Sequence, residues 1–137
     1  STTGGNPISC AASLAALDLY SERGCYERLH AAGRRFRELL AGALEAAGET
    51  GQVLGDGPLA QIAFSAAPVT DQRSWLASNR TRGRALMLEL LRRGVFLNPM
   101  GTKLYLSLAH DDSILEEFAE RVVAALQATQ ASSRTLI

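Results

Sequence analysis

Apolar positions recur along this chain at two spacings, and the alternation between them predicts its elements. From residue 7 to about residue 19 the chain reads as a helix whose Ala11, Ala12, Ala15 and Ala16 would let neighbouring backbone come close. A break at Glu22-Arg23-Gly24 leads into a second helix over 25–47. Its Leu29, Phe36, Leu40, Ala43 and Leu44 follow a three-and-four spacing, and Gly48 terminates it. The stretch 51–58 is turn-rich. Residues 59–64, Leu-Ala-Gln-Ile-Ala-Phe, alternate as a half-buried strand does. The polar stretch 68–79 predicts a loop with a short helical turn. A helix over 81–93 follows, with Leu86, Leu90 and Leu91 inward and Gly94 as its stop. Segments 95–97 and 104–108 read as two strands joined by a hairpin-like loop through Asn98-Pro99-Met100-Gly101. The last helix is expected to start at Ser113 with Glu116 completing a capping box, and to bury Leu115, Phe118, Val122 and Leu126. The tail 128–137 is small and polar and is expected to fray.

Helices followed by a short sheet of mostly antiparallel strands covered on one face predict an α+β two-layer domain preceded by a long N-terminal helix. With 137 residues the chain can bury one core, not two. Charge is balanced, 14 basic against 14 acidic residues, which speaks against a nucleic-acid or acidic-membrane partner. Arginine supplies 13 of the 14 basic residues, and Arg34-Arg35 and Arg92-Arg93 read as solvated helix faces. No apolar run approaches the roughly 20 residues that span a bilayer, and no signal peptide is read. Cys10 and Cys25 lack metal-ligand spacing and read as free thiols of a reducing compartment, so a cytoplasmic location is expected.

Candidate chemistry concentrates at the start of the chain. In Ser1-Thr2-Thr3-Gly4-Gly5-Asn6-Pro7, hydroxyls and exposed backbone N–H groups precede a helix that Asn6 can cap and Pro7 can begin. Such donors suit a phosphate, while the same residues also make an ordinary turn before a helix. His110, before Asp111-Asp112, could be a general base or a ligand, but reads better as the residue that completes a turn. Trp75 sits in a polar loop, either folded back on the surface or exposed as an interface anchor.

The segment Thr2-Thr3-Gly4-Gly5-Asn6-Pro7-Ile8 resembles the Gly-Thr-x-Ser-Gly-Asn-Pro-hydrophobic motif of class III pyridoxal-phosphate aminotransferases, most closely the branch of glutamate-1-semialdehyde aminomutase. The likeness continues in the small-residue helix 10–17, in Leu90-Leu91-Arg92-Arg93-Gly94-Val95-Phe96-Leu97, and in Leu106-Ser107-Leu108-Ala109-His110 before an acidic helix. It covers essentially the whole chain and about the last third of such an enzyme.

The resemblance implies the C-terminal small domain of a fold-type I enzyme. Residues 1–24 would form the phosphate loop and connecting helix, 25–127 the small domain, and 128–137 a flexible tail. Thr2 falls on the threonine that binds the phosphate of pyridoxal 5′-phosphate in the neighbouring subunit of a homodimer, and Ser1 stands where the family usually has glycine. The loop 98–103 falls on the part that faces the substrate, with Asn98 and Met100 as its candidate contacts. No residue here is assigned a catalytic role and none a metal. Lys103, the single lysine, lacks the glycine-rich setting of the lysine that carries the cofactor, which would lie upstream. The stretch 104–108 lacks the arginine of the carboxylate-binding relatives, which points to the aminomutase branch.

The expected activity of the intact protein is therefore amino transfer between an amino acid or amine and a carbonyl compound, with the chain alone inactive. Two other readings stay open. One is a transaminase for β-amino or carrier-bound β-keto substrates, including one inside a larger synthase. The other is an autonomous, non-catalytic α+β interaction module.

Overall fold

The computed structural model describes residues 4–98 and 102–134, with the side chains of 132–134 excepted. Among the described residues, five helices and three strands run in the order α1 (Pro7–Tyr20), α2 (Cys25–Ala46), β1 (Gln52–Leu54), β2 (Leu59–Ala63), α3 (Gln72–Leu76), α4 (Arg80–Arg92), β3 (Lys103–Tyr105) and α5 (Asp112–Arg134). The sheet is antiparallel throughout, in the order β1-β2-β3. Val53 pairs with Ile62, Leu54 with Gln61, and Ala60 with Leu104.

Strand alternation then sorts the faces. Ala60, Ile62 and Leu104 point into a core shared with Phe36, Leu40 and Leu44 of α2, Leu86 and Leu90 of α4, and Leu115, Val122 and Leu126 of α5. Leu59, Lys103 and Tyr105 lie exposed on the other face. The two-layer α+β expectation is the architecture observed.

The helix ends follow the sequence. Asn6 Oδ1 accepts from the N–H groups of Ile8 and Ser9, and Pro7 occupies the first helical position, where its missing N–H is no loss. Gly48 (φ +62°) and Gly94 (φ +80°) close α2 and α4 in the left-handed conformation. In each case two N–H groups past the helix fold back on its last carbonyls: Gly48 on Glu45 and Glu49 on Leu44, Gly94 on Leu91 and Val95 on Leu90.

That second closure explains a correction. Residues 95–97 form no strand, since the Val95 N–H is spent on the helix end and no strand among the described residues takes the segment into its ladder. Val95 and Leu97 instead pack their side chains on the core. The strand expected over 104–108 is Lys103–Tyr105, after which only the Leu106 N–H, donating to the Pro58 carbonyl, prolongs the ladder. The hairpin between the two expected strands is therefore absent as a ladder, and its tip, 99–101, lies outside the described residues. Conversely β1 arises in the turn-rich stretch, because β2 offers it an edge. Leu91 is half-exposed rather than inward.

α5 starts one residue before the expected Ser113. Its cap is Asp111, whose Oδ1 accepts from the Ile114 N–H at 3.0 Å and from the Ser113 hydroxyl at 2.7 Å. Those bonds, the hydroxyl first, hold the Asp111 carboxyl below the usual aspartate range. Glu116 completes no capping box; it accepts from Arg35 at 3.0 Å. The helix also continues past 127, where fraying was expected, to Arg134. Tertiary bonds hold that extension: Gln130 Nε2 donates to the Ala47 carbonyl and to Glu49.

α1 differs from every other long helix in burying none of its residues. Ile8, Leu14, Leu17 and Leu19 are all more than half exposed. A helix apolar on all sides is stable in water only when something covers it.

Candidate functional site

The segment 94–98, strand β3 and the first turns of α5 enclose a cleft of about 480 Å³. Its floor is apolar, built from Phe36, Leu104, Leu115 and Phe118, with the rings of Phe36 and Phe118 5.5 Å apart. Asn98 and Lys103, the two ends of the loop expected to face the substrate, stand on its rim. Both are exposed. The structure therefore brings the loop's two ends together over an apolar hollow. Met100 lies outside the described residues, as do Ser1 and Thr2.

The loop's downstream end is fastened from below. Thr102 is the one buried polar residue among those described, and its hydroxyl donates to the Ile62 carbonyl at 2.6 Å. Nothing in the local pattern marks Thr102. It counts because β2 passes beneath it, which is a tertiary fact.

Among the described residues, the polar groups of the rim are mostly engaged in holding the fold. His110 Nδ1 accepts the Ser107 N–H at 3.1 Å and lies 3.0 Å from the Ser107 hydroxyl. A serine beside an imidazole can be a nucleophile and base, but that arrangement needs a third group to orient the ring. The adjacent Asp111 carboxylate is committed to capping α5. The Ser107–His110 contact closes a turn, the structural role expected of His110. Arg121 is likewise engaged, donating to the Arg93 carbonyl at 2.6 Å and to Glu117. Lys103 forms no ion pair among the described residues and lies on an open strand. No group of three or more metal-ligating side chains converges among the described residues.

A second polar cluster holds the scaffold. Arg82 of α4 is paired with Glu49, donates to the Leu126 carbonyl at 3.1 Å, and stacks 5.8 Å above the Phe64 ring. Gln130 donates to the same Glu49 carboxylate at 3.0 Å. Burial by itself raises the Glu49 carboxyl pKa, but hydrogen bonds from Arg82 and Gln130 and the Arg82 charge outweigh it, and the net shift is downward. The end of α2, the start of α4 and the end of α5 meet at this node.

Comparison with known proteins completes the picture. No protein-family model matches the chain. Over 119 residues it is 37% identical to the glutamate-1-semialdehyde 2,1-aminomutase of Syntrophobacter fumaroxidans, an alignment covering 84% of this chain and 27% of that enzyme. An omega-transaminase from Sphaerobacter thermophilus superposes with a TM-score of 0.76 at 27% identity, over 93% of this chain and 29% of the other. A transaminase with PLP bound superposes with a TM-score of 0.79 at 25% identity, over 98% of this chain and 30% of the other.

The chain belongs to the class III, fold-type I pyridoxal-phosphate aminotransferases, as a C-terminal, small-domain portion. Within them it stands with the aminomutase-like branch, and it spans less than a third of the length of the relatives it matches.

Proposed function

We propose that the protein carrying this chain is a pyridoxal 5′-phosphate enzyme that moves an amino group between an amino acid or amine and a carbonyl compound. The observation that carries this is likeness over nearly the whole chain, in sequence to aminomutases and in structure to transaminases. In such a protein the cofactor supplies the electron sink for chemistry at the substrate α-carbon. This chain's own residues bind and position.

The donor set at the start of the chain fits a phosphate. Thr2 and Ser1 precede Gly4-Gly5, exposed and bearing no side chain, at the start of a capped helix whose N-terminus favours negative charge. Thr2 is assigned to the phosphate of the neighbouring subunit's cofactor in a homodimer, with Ser1 beside it. The uncovered apolar surface of α1 supports burial of this segment against other parts of the assembly. Asn98 and Met100 form the wall presented to the substrate, an uncharged one. The domain division is 1–24 for the loop and connecting helix, with the small domain running from residue 25 to the end of α5 rather than stopping at 127. Two unbridged cysteines, one exposed, support a cytoplasmic setting. No helix of the described residues is long and apolar enough to cross a membrane.

The test is to treat the full-length protein with borohydride in the presence of pyridoxal phosphate and map the reduced label by mass spectrometry, alongside an assay for amino transfer. A single label on a lysine upstream of this chain, with transfer activity, is the expected result. A label on Lys103, or no label and no transfer, would overturn the assignment.

A further inference from the structure

A cavity of about 460 Å³ opens beside the start of α4. Ile62, Phe64 and Met87 give it an apolar lining and Trp75, half-buried, is part of its wall. Of the two expectations for Trp75, its partial burial fits the side chain folded back rather than the fully exposed anchor.

Arginine occupies positions 80, 82 and 84 of α4, and no acidic residue stands in its first turn. Arg82 is neutralised by Glu49. Arg80 and Arg84 line the cavity, are exposed, and form no ion pair among the described residues. Four residues apart, they share one side of the helix, where like charges repel. They also stand at the end where the helix dipole is positive. An anion placed between them would relieve both penalties.

Gly83 supplies the room. It sits buried inside α4 with an ordinary helical backbone, so no turn requires glycine there. A Cβ would lie 3.4 Å from Thr102 Cγ2 and 3.8 Å from the Phe64 ring, ordinary contact distances, so no close approach requires it either. Glycine is unfavourable within a helix. What a larger side chain at 83 would do is occupy the cavity.

We propose that this cavity binds a small amphiphilic anion: a carboxylate or phosphate held between Arg80 and Arg84, carrying an aromatic or other apolar body against Phe64, Met87 and Trp75. Paired guanidiniums bind either oxyanion through charge-assisted hydrogen bonds, and the apolar lining rewards a ligand that is more than an ion. The site does not depend on the cofactor, and its test is a binding measurement.

The test is isothermal titration of the full-length protein, as purified, with phenyl phosphate and with benzoate, and with benzyl alcohol as the neutral control. Saturable binding of at least one anion is expected, with no heat from the alcohol. The tighter of the two identifies the head group. The R80Q/R84Q variant, altered only at exposed side chains, should bind at least about tenfold more weakly, and R80K/R84K should recover part of the loss. Gly83→Leu, which fills the hollow, should weaken the binding of phenyl phosphate and benzoate. No saturable anion binding, or binding equally tight in R80Q/R84Q, would overturn the proposal.

Discussion

The buried Thr102 hydroxyl donates to the Ile62 carbonyl at 2.6 Å and so ties the downstream end of the 98–103 loop to the central strand of the sheet. Thr102→Val keeps the shape and removes the donor to the carbonyl of buried Ile62. We expect a stability loss of about 1–3 kcal/mol in denaturant unfolding, with Thr102→Ser close to wild type. If valine is as stable as serine, the bond is not what fastens the loop.

Gly33 and Gly57 set how closely α2 lies against the turn before β2. A Cβ on Gly33 would fall 1.8 Å from the Gly57 carbonyl oxygen, which is backbone and cannot step aside. Gly33→Ala should cost about 1–3 kcal/mol, in the range of overpacked cores. Gly42, in the same helix with nothing within 4 Å, gives the opposite sign: Gly42→Ala should stabilise by about 0.5–1 kcal/mol. Equal effects at the two positions in parallel unfolding curves would refute the close approach.

Glu49 carries a pH signature. Its carboxyl pKa is lowered in the folded state from the ordinary 4.5. The folded form therefore prefers the ionised group, and the resulting stability is fully present above the unfolded-state value and is lost as pH falls through the folded one. Glu49→Gln should reduce stability by about 2 kcal/mol at neutral pH and converge with wild type under acid conditions. Parallel stability curves of the two proteins from neutral to acid pH would remove Glu49 from the node.

Thr2→Ala tests the phosphate assignment. On the proposed assignment one charge-assisted hydrogen bond, worth about 1.5–3 kcal/mol, is removed, so cofactor affinity of the full-length protein should fall at least about tenfold with the fold intact. Unchanged affinity in equilibrium dialysis takes Thr2 out of the phosphate site.

Met100 tests the substrate wall. Met100→Arg in the intact enzyme adds a cation where the proposed contact is uncharged. The ratio of kcat/KM for an acidic over a neutral amino donor should rise roughly tenfold, the equivalent of about 1.4 kcal/mol. A constant ratio would make the loop scaffold only.

Much of this protein is determined by local sequence. The three-and-four spacing from Phe36 to Leu44 places one face of α2 in the core, and Asn6, Gly48 and Gly94 define helix ends through bonds that span only a few residues. The family, too, is legible, because its motifs are short and keep their order. Tertiary structure decides the rest. The Val95 N–H could serve a ladder or a helix end, and the closure of α4 on Leu90 takes it. The stretch 128–134 has no apolar pattern to hold it, yet Gln130 reaches Ala47 and Glu49, 83 and 81 residues away in sequence, and α5 continues. Thr102 and Gly83 look unremarkable in the chain; β2 under the one and a cavity beside the other give them meaning. Caps and periodicity act over one or two turns and are written locally, whereas an edge strand, a long-range hydrogen bond or a hollow exists only after distant segments have been packed together.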